Sequence, residues 1–169
     1  MPFYMVVNNK LIDHEFDYLE KTTGRRLDPT LSPKIKKIVR ADKSSDSWVT
    51  EIMSKNLFSL SPDDLVNKAI KMLKKENIHH IPIVEDLTLV GMVSDRDILW
   101  LNKMEMDKNA SLRQFMSNII LVCHEETPVD HLAHVFYREQ INGMPVINDQ
   151  LELAGMVTHH DILKWVYDS

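Results

Sequence analysis

Two short segments carry residue types that could bind a phosphorylated sugar. They read G-M-V-S-D-R-D from Gly91 to Asp97 and G-M-V-T-H-H-D from Gly155 to Asp161. In both, a hydroxyl precedes a carboxylate by three residues, where a strand is expected to give way to a helix. Helix N-terminal amides and a hydroxyl can bind phosphate, and a carboxylate can accept hydrogen bonds from ribose hydroxyls. The candidate pairs are Ser94 with Asp97 and Thr158 with Asp161.

The same pattern has a purely structural interpretation. Ser-x-x-Asp and Thr-x-x-Asp are also capping boxes, in which hydroxyl and carboxylate satisfy the free amides that begin a helix. The glycine that opens each segment lets either a ligand or a neighbouring strand approach the backbone closely. The residues alone leave both interpretations open, because recurrence in two places indicates a shared origin and not a ligand.

The two segments belong to a longer internal repeat. Met53 matches Met116 and Pro82 matches Pro145 at a spacing of 63 residues, whereas the junction glycines and carboxylates match at a spacing of 64. Two units are too few for a solenoid, in which each repeat needs neighbours on both sides. We therefore expect one globular domain with an internal pseudo-two-fold axis and a groove that holds two similar sites.

Each repeat predicts the order strand, helix, strand, strand, helix. The first helices are expected to start at Ser61-Pro62 and Thr127-Pro128, with the hydroxyl as N-cap and proline at the first helical position. The last helices start at Ser94 and Thr158 and reach about Leu101 and Tyr167. The predicted strands cover 57–60, 81–84 and 89–93 in the first repeat and 120–122, 144–147 and 153–157 in the second. The apolar helix faces comprise Val66, Ala69, Ile70 and Leu73, and then Leu132, Ala133, Val135 and Phe136.

Residues 1–48 lie outside the repeat. Phe3 to Val7 and Lys10 to His14 predict a β-hairpin around an Asn-Asn turn. Because two strands alone are marginal in water, this hairpin is expected to dock on the repeats or on another subunit. A short helix is predicted over 31–39, and the basic cluster within 34–43 is interpreted as a solvated helix face.

Composition limits the classes of function. The 169 residues are 44% hydrophobic and 27% charged, which is typical of a folded soluble protein. The net charge is −5, with +2 in residues 1–48 and −7 in the remainder, and acidic repeats argue against nucleic acid as a partner. No apolar run approaches the ~20 residues of a membrane span, and no signal peptide is recognisable. The single cysteine, Cys123, is interpreted as a core strand residue, and a cytoplasmic location is expected.

The histidines and the known catalytic motifs favour a non-enzymatic protein. The pairs His79-His80 and 159–160 are adjacent, so their side chains diverge on a strand and do not chelate one ion simply. His131 and His134 stand three apart on a predicted helix and could share a metal, but surface histidines are the expectation because nothing nearby completes a ligand set. The sequence contains no Ser-His-Asp order, P-loop or metal-hydrolase motif.

The span from about Val49 to Tyr167 resembles a tandem pair of CBS domains, the module named after cystathionine β-synthase and called a Bateman module when paired. The resemblance is carried by the two junctions, by the openings Ile52-Met53-Ser54 and Phe115-Met116-Ser117, and by the strands Ile81-Pro82-Ile83-Val84 and Met144-Pro145-Val146-Ile147. It implies an α/β (α+β) fold of two pseudo-symmetric β-α-β-β-α repeats packed through their sheets. The implied organisation is repeats at 49–102 and 112–167 preceded by the extension at 1–48.

The resemblance also implies a regulatory, non-catalytic module. Members of the family bind adenosyl compounds in the cleft between repeats, here expected to be AMP, ADP or ATP before S-adenosylmethionine. The family's roles imply phosphate contacts at Ser94 and Thr158, ribose contacts at Asp97 and Asp161, and pocket positions at His80 and Gly143. Two-repeat members usually dimerise into a flat disc, so a homodimer and a separate effector protein are the implied partners.

The two junctions differ in their charged side chains. Arg96 in the first is a cation able to meet a polyphosphate, whereas His159 and His160 in the second are neutral or partly charged near physiological pH. The first site is therefore the better candidate for a nucleotide with a charged tail. The alternative function is a ligand-free assembly module that acts through dimerisation or a protein partner.

Overall fold

A computed structural model of the chain describes residues 3–20 and 47–168. The predicted helix at 31–39 and the basic cluster lie outside these residues. In the described part, no helix combines the length and apolar character needed to cross a membrane. The elements are β1 (Phe3–Val7), β2 (Lys10–Asp13), α1 (Asp17–Glu20), α2 (Val49–Ile52), α3 (Val66–Glu76), β3 (His80–Glu85), β4 (Thr88–Ser94), α4 (Asp95–Lys103), a 3₁₀ turn (Leu112–Gln114), β5 (Ile119–His124), α5 (Val129–Glu139), β6 (Gly143–Ile147), β7 (Leu153–Thr158) and α6 (His159–Asp168).

The strands form one sheet in each repeat. The second repeat contributes to a five-stranded sheet of order β2-β1-β5-β6-β7, and the first contains the two-stranded sheet β3-β4. Strands β5 and β6 are parallel and are joined by α5, whereas the other neighbouring pairs are antiparallel. A parallel pair needs such a crossover, so the helix between the first two strands of the second repeat follows from the strand directions.

The N-terminal hairpin forms and docks on the second repeat. Asn8 and Asn9 adopt the expected positive φ angles of 49° and 63°. Strand β1 pairs antiparallel with β5, from Phe3 opposite Cys123 to Val7 opposite Ile119. Phe3 is 1% exposed, and the hairpin is therefore an integral part of this sheet and its core.

The predicted strand at 57–60 is wrong, because only Leu60 engages its neighbour. Leu60 N donates to the Pro82 carbonyl at 3.2 Å, and Val84 N donates to the Leu60 carbonyl at 2.9 Å, which makes a single parallel bridge to β3. Its counterpart β5 is paired on both sides, by β1 and by β6. No described strand covers the outer side of 57–60, so the segment lacks the second partner that extends β5.

The predicted start of the first long helix is four residues early. Ser61 and Asp64 form a separate turn, in which Ser61 N donates to Asp64 Oδ2 at 3.0 Å and Asp64 N donates to the Ser61 carbonyl at 3.0 Å. The helix α3 starts at Val66, whose amide donates to the Ala110 carbonyl in the linker between the repeats at 3.0 Å. The linker thus supplies the acceptor that was expected from a local cap.

The second long helix starts one residue later than predicted. Pro128 is the N-cap residue of α5, with extended backbone angles, and not its first helical residue. Val129 N donates to the Ser47 carbonyl at 3.1 Å, and Thr127 is fully buried. The chain segment before the first repeat therefore supplies a backbone acceptor for the first amide of this helix.

The repeats pack through their sheets. Each has its own apolar core, on which the predicted helix faces are buried or half-buried. A third cluster joins Leu89 of the first repeat to residues of the second sheet, and Val6 brings the hairpin into the same contact. The other members of that cluster are Ile120, Val122 and Ile147.

Candidate functional site

The first junction folds into a reciprocal capping box. Ser94 ends β4 and is the N-cap of α4, with extended backbone angles. Its backbone N and its Oγ both donate to Asp97 Oδ2 at 2.7 Å, and Asp97 N is 3.3 Å from Ser94 Oγ. Both side chains are half-buried, so the pair is fixed in place and still reachable from the surface.

The second junction reproduces the two bonds to the carboxylate. Thr158 N and Oγ1 both donate to Asp161 Oδ2 at 2.7 Å at the start of α6. Among the described residues, none donates a hydrogen bond to the Oδ1 atom of Asp97 or of Asp161. Each carboxylate therefore caps its helix with one oxygen and keeps the other for a further donor, so the two sequence interpretations are compatible.

The predicted pocket residues lie between the two junctions and contact each other. His80 pairs with Ser94 across β3 and β4, and Gly143 pairs with Thr158 across β6 and β7. A Cβ built on Gly143 would lie 3.1 Å from His80 Nδ1. The structure thus brings both hydroxyls and both pocket residues into one continuous strip across the pseudo-two-fold axis.

Burial lowers the pKa of His80, and it outweighs the opposing effect of the Asp95 carboxylate. The imidazole between the junctions is therefore held toward its neutral form. A neutral imidazole has one donor and one acceptor nitrogen, so His80 could hydrogen-bond a nucleobase or a phosphate oxygen.

The side chains that distinguish the junctions are exposed. Arg96 and His160 occupy equivalent positions in the first turns of α4 and α6. Among the described residues, Arg96 has no ion-pair partner, which leaves its guanidinium available to an anion. The preceding residue, Asp95, accepts a 2.8 Å contact from His79 Nδ1.

The role of the junction glycines is to admit a methionine from the other repeat. A Cβ on Gly155 would lie 2.5 Å from Met53 Sδ, and a Cβ on Gly91 would lie 2.9 Å from Met116 Cγ. Of the two alternatives left open by the sequence, the close approach of a neighbouring chain segment is the one present here. The signal lay in the sequence, because the methionines recur at the same spacing as the repeat.

Backbone hydrogen bonds support the same exchange between repeats. Ser54 N donates to the Met156 carbonyl at 2.8 Å, and Met156 N donates back to the Ser54 carbonyl at 3.1 Å. Met92 and Ser117 make the equivalent pair at 3.0 and 2.8 Å. The opening of each repeat is therefore paired with the last strand of the other, and both junctions depend on the presence of both repeats.

The prediction of surface histidines is wrong for His134. His134 is 3% exposed, because this side of α5 packs into the core together with Val135 and Phe136, whereas His131 is half-buried. In the described part of the chain, no group of three or more potential ligands could hold a metal ion. Cys123 is fully buried on β5 as predicted, and burial raises the pKa of its thiol.

The fold and the junctions define a tandem α/β repeat with two equivalent polar sites at the starts of its last helices. Its sequence matches the CBS domain family over residues 49–101 and again over 112–168. The chain belongs to this family and carries a tandem CBS pair, which confirms both the resemblance and the mixed α/β fold.

Solved CBS pairs superpose on most of the chain. The CBS domain pair of protein MJ0100, in complex with 5′-methylthioadenosine and S-adenosyl-L-methionine, has a TM-score of 0.65 and 30% identity, covering 72% of this chain and 97% of that one. CBSX2 in complex with AMP has a TM-score of 0.66 and 25% identity, covering 72% and 96%. Both neighbours consist almost wholly of the region that this chain matches.

Relatives with assigned activities are larger proteins. The L-aspartate semialdehyde sulfurtransferase of Methanocaldococcus jannaschii is 32% identical over 123 residues, covering 72% of this chain and 24% of the enzyme. The inosine-5′-monophosphate dehydrogenase of the same organism is 28% identical, covering 75% and again 24%. The chain thus spans about a quarter of these enzymes, in which the CBS pair is an accessory part. CBS pairs are generally regulatory, non-catalytic modules.

Proposed function

We propose that this chain binds an adenine nucleotide, AMP, ADP or ATP, between its two CBS repeats and regulates a partner through the conformation of a homodimer. The observation that carries the proposal is the pair of equivalent junctions. Each holds a carboxylate with one oxygen bonded to its own helix cap and the other without a described donor. The fixed oxygen sets the orientation of the carboxylate, and the second oxygen can accept from a ribose hydroxyl.

The other groups of each site suit the rest of a nucleotide. The Ser94 and Thr158 hydroxyls lie at the first amides of α4 and α6, where a helix N-terminus favours a phosphate. His80 and Gly143, which begin the strands paired with those hydroxyls, would line the base or phosphate pocket. These assignments follow the roles that the family resemblance implies.

The charge at the first junction favours a phosphorylated ligand. Arg96 is exposed in the first turn of α4 and can pair with a polyphosphate, whereas a histidine, His160, occupies the equivalent position at the second junction. CBSX2, which superposes on the pair, was solved with AMP, and the pair of MJ0100 with 5′-methylthioadenosine and S-adenosyl-L-methionine. S-adenosylmethionine is the less favoured ligand here, because its cationic sulfonium gains nothing from Arg96.

Exposed apolar side chains on the last helices support the homodimer. Leu99 on α4 and Leu163 on α6 occupy equivalent positions and are 69% and 52% exposed. Trp100 is 59% exposed beside Leu99, and Tyr167 is 94% exposed near the end of α6. A two-fold contact between such faces would bury them, and ligand binding between the repeats would then alter the relative orientation of the helices that form the contact.

A ligand-free assembly module is the second candidate function. The observation that favours it is that each junction carboxylate already accepts from the backbone amide and the hydroxyl of its N-cap residue, with no ligand required. In that case the exposed helix faces would be the functional surface and the junctions would only stabilise helices.

Calorimetric titration with AMP, ATP and S-adenosylmethionine separates the two candidates, after mass spectrometry has shown that no nucleotide co-purified. Asp97→Ala and Asp161→Ala should each abolish one binding event. The matched control is Asp64→Ala, because Asp64 caps Ser61 N in the same repeat with the same chemistry but outside the junctions. Absence of heat from folded, empty wild-type protein would favour the assembly module.

A further inference from the structure

The contact between His80 and Gly143 breaks the internal symmetry of the pair at its centre. Both residues stand two positions before a proline and begin equivalent strands, β3 and β6. The imidazole occupies the space beside Gly143 that a side chain would need, since a Cβ there would be 3.1 Å from Nδ1, 3.3 Å from Cε1 and 3.5 Å from Cγ of His80. If both positions carried a side chain, the two would need the same space at the pseudo-two-fold axis. Because residue 143 is a glycine, the His80 side chain can occupy that space.

This contact connects the two candidate sites. Ser94 is the register partner of His80, and Thr158 is the register partner of Gly143. The strip therefore runs from one hydroxyl to the other through two strand pairs and one side-chain contact. His80 is joined to Ser94, and Gly143 to Thr158, by backbone strand pairing. Only the contact between His80 and Gly143 depends on a side chain that can change its rotamer.

The charged groups that shift the pKa of His80 all belong to the first repeat. Burial lowers its pKa, and the charged groups that act on it are, in decreasing order, Asp95, His79, Asp97 and Arg96. All of them surround the first junction, whereas its steric contact is with the second repeat. The His80 side chain therefore interacts electrostatically with the first site and sterically with the second.

We infer that His80 couples the two nucleotide sites, so that a ligand at Ser94 and Asp97 changes the affinity of the site at Thr158 and Asp161. The inference rests on the proposed function. A phosphate beside His80 attracts or displaces the imidazole, and any movement of the ring alters the surface at Gly143 that lines the second site. By linkage, a ligand in the second site must change the affinity of the first by the same factor.

Three AMP titrations of the intact chain measure this coupling. Asp161→Ala reports the first site with the second disabled, Asp97→Ala reports the second with the first disabled, and wild type reports the product of both constants multiplied by the coupling factor. We expect that factor to depart from unity by about fivefold or more, the lower end of typical allosteric coupling. The same three titrations in a His80→Ala background should return a factor within about twofold of unity.

Two further variants control the result. Gly143→Ala forces the ring to move while keeping the histidine, so it should also change the coupling factor. His124→Ala removes another half-buried histidine, opposite Ile147 at the far end of β6, and should leave the factor unchanged.

The outcomes separate the inference from the proposed function. Binding in both single-site variants with a wild-type factor of unity, or with a factor that persists in both His80→Ala and Gly143→Ala, overturns the inference alone. Absence of binding of AMP, ADP and ATP in both single-site variants and in wild type overturns the proposed function and the inference together.

Discussion

The two junction glycines should differ sharply in their tolerance of alanine. At Gly155 a Cβ would lie 2.5 Å from Met53 Sδ and 3.2 Å from the Ser54 carbonyl oxygen. At Gly91 the three nearest atoms all belong to the Met116 side chain. The Sδ and Cγ atoms of Met116 can rotate away, which leaves its Cβ at 3.2 Å, whereas the contact that remains at Gly155 is the Ser54 carbonyl, which is held by its hydrogen bond from Met156 N at 3.1 Å.

The magnitude follows from these neighbours. Overpacking that a flexible side chain can relieve costs about 1 kcal/mol, the lower end of the usual range, and we expect this for Gly91→Ala. Gly155→Ala must in addition disturb the paired backbone of Ser54 and Met156, which brings the expected loss to about 3 kcal/mol. The difference of about 2 kcal/mol corresponds to about 4–8 °C in Tm for a chain of this size.

Urea unfolding followed by circular dichroism measures both losses. Double mutants provide the control. Met116→Ala should remove the clashes of Sδ and Cγ with the new methyl group of Gly91→Ala and leave only the contact with the Met116 Cβ. Met53→Ala should leave the part of the Gly155→Ala loss that is caused by the Ser54 carbonyl. Equal losses in the two single variants, or a larger loss for Gly91→Ala, would show that the Ser54 carbonyl does not limit the space at Gly155.

Three other predictions concern strain, assembly and pH. Leu87 and Leu151 have positive φ angles of 69° and 63° in exposed turns, a conformation that is strained for leucine. Leu87→Gly and Leu151→Gly should therefore each raise the free energy of unfolding in urea by about 0.5–1 kcal/mol, and a decrease would contradict the presence of strain at these turns. Combining Leu99→Glu with Leu163→Glu should convert a homodimer to a monomer in light scattering without changing the circular dichroism spectrum; an unchanged mass would exclude these faces as the contact. Burial lowers the pKa of His80, so folding stability should decrease as pH falls below the ordinary histidine value of about 6.5. His80→Gln should reduce that decrease between pH 7 and pH 5.5, and an unchanged pH profile would contradict a role of His80 in the pH dependence.

The internal repeat made most of the fold predictable from the sequence. Patterns that occur twice fix the order of elements, and the strands beginning at His80 and Gly143 and the helices beginning after Ser94 and Thr158 lie within two residues of their predicted bounds. The hairpin was predictable because its Asn-Asn turn carries a local signal. Its position beside β5 was not, since strand partners distant in sequence leave no local pattern.

The errors in the bounds of helices and strands share one physical cause, which is long-range backbone contact. The first amides of α3 and α5 donate to the carbonyls of Ala110 and Ser47, and the strand at 57–60 shortens because no strand among the described residues pairs with its outer side. At the candidate site, the hydroxyl and carboxylate pairs could be predicted because their spacing is local. The contact of His80 with Gly143 depends on how the repeats pack, and the burial of His134 depends on the packing of α5, so neither could be derived from spacing.

The most direct test of the proposed nucleotide sites is an AMP titration followed by amide ¹H–¹⁵N NMR. If a nucleotide binds at the junctions, we expect saturable shifts at the amides of Ser94, Asp97, Thr158 and Asp161, together with His80, and no shift at the equivalent cap formed by Ser61 and Asp64. Folded protein whose junction amides do not respond at saturating AMP, ADP or ATP, or whose shifts occur only away from the junctions, would contradict it.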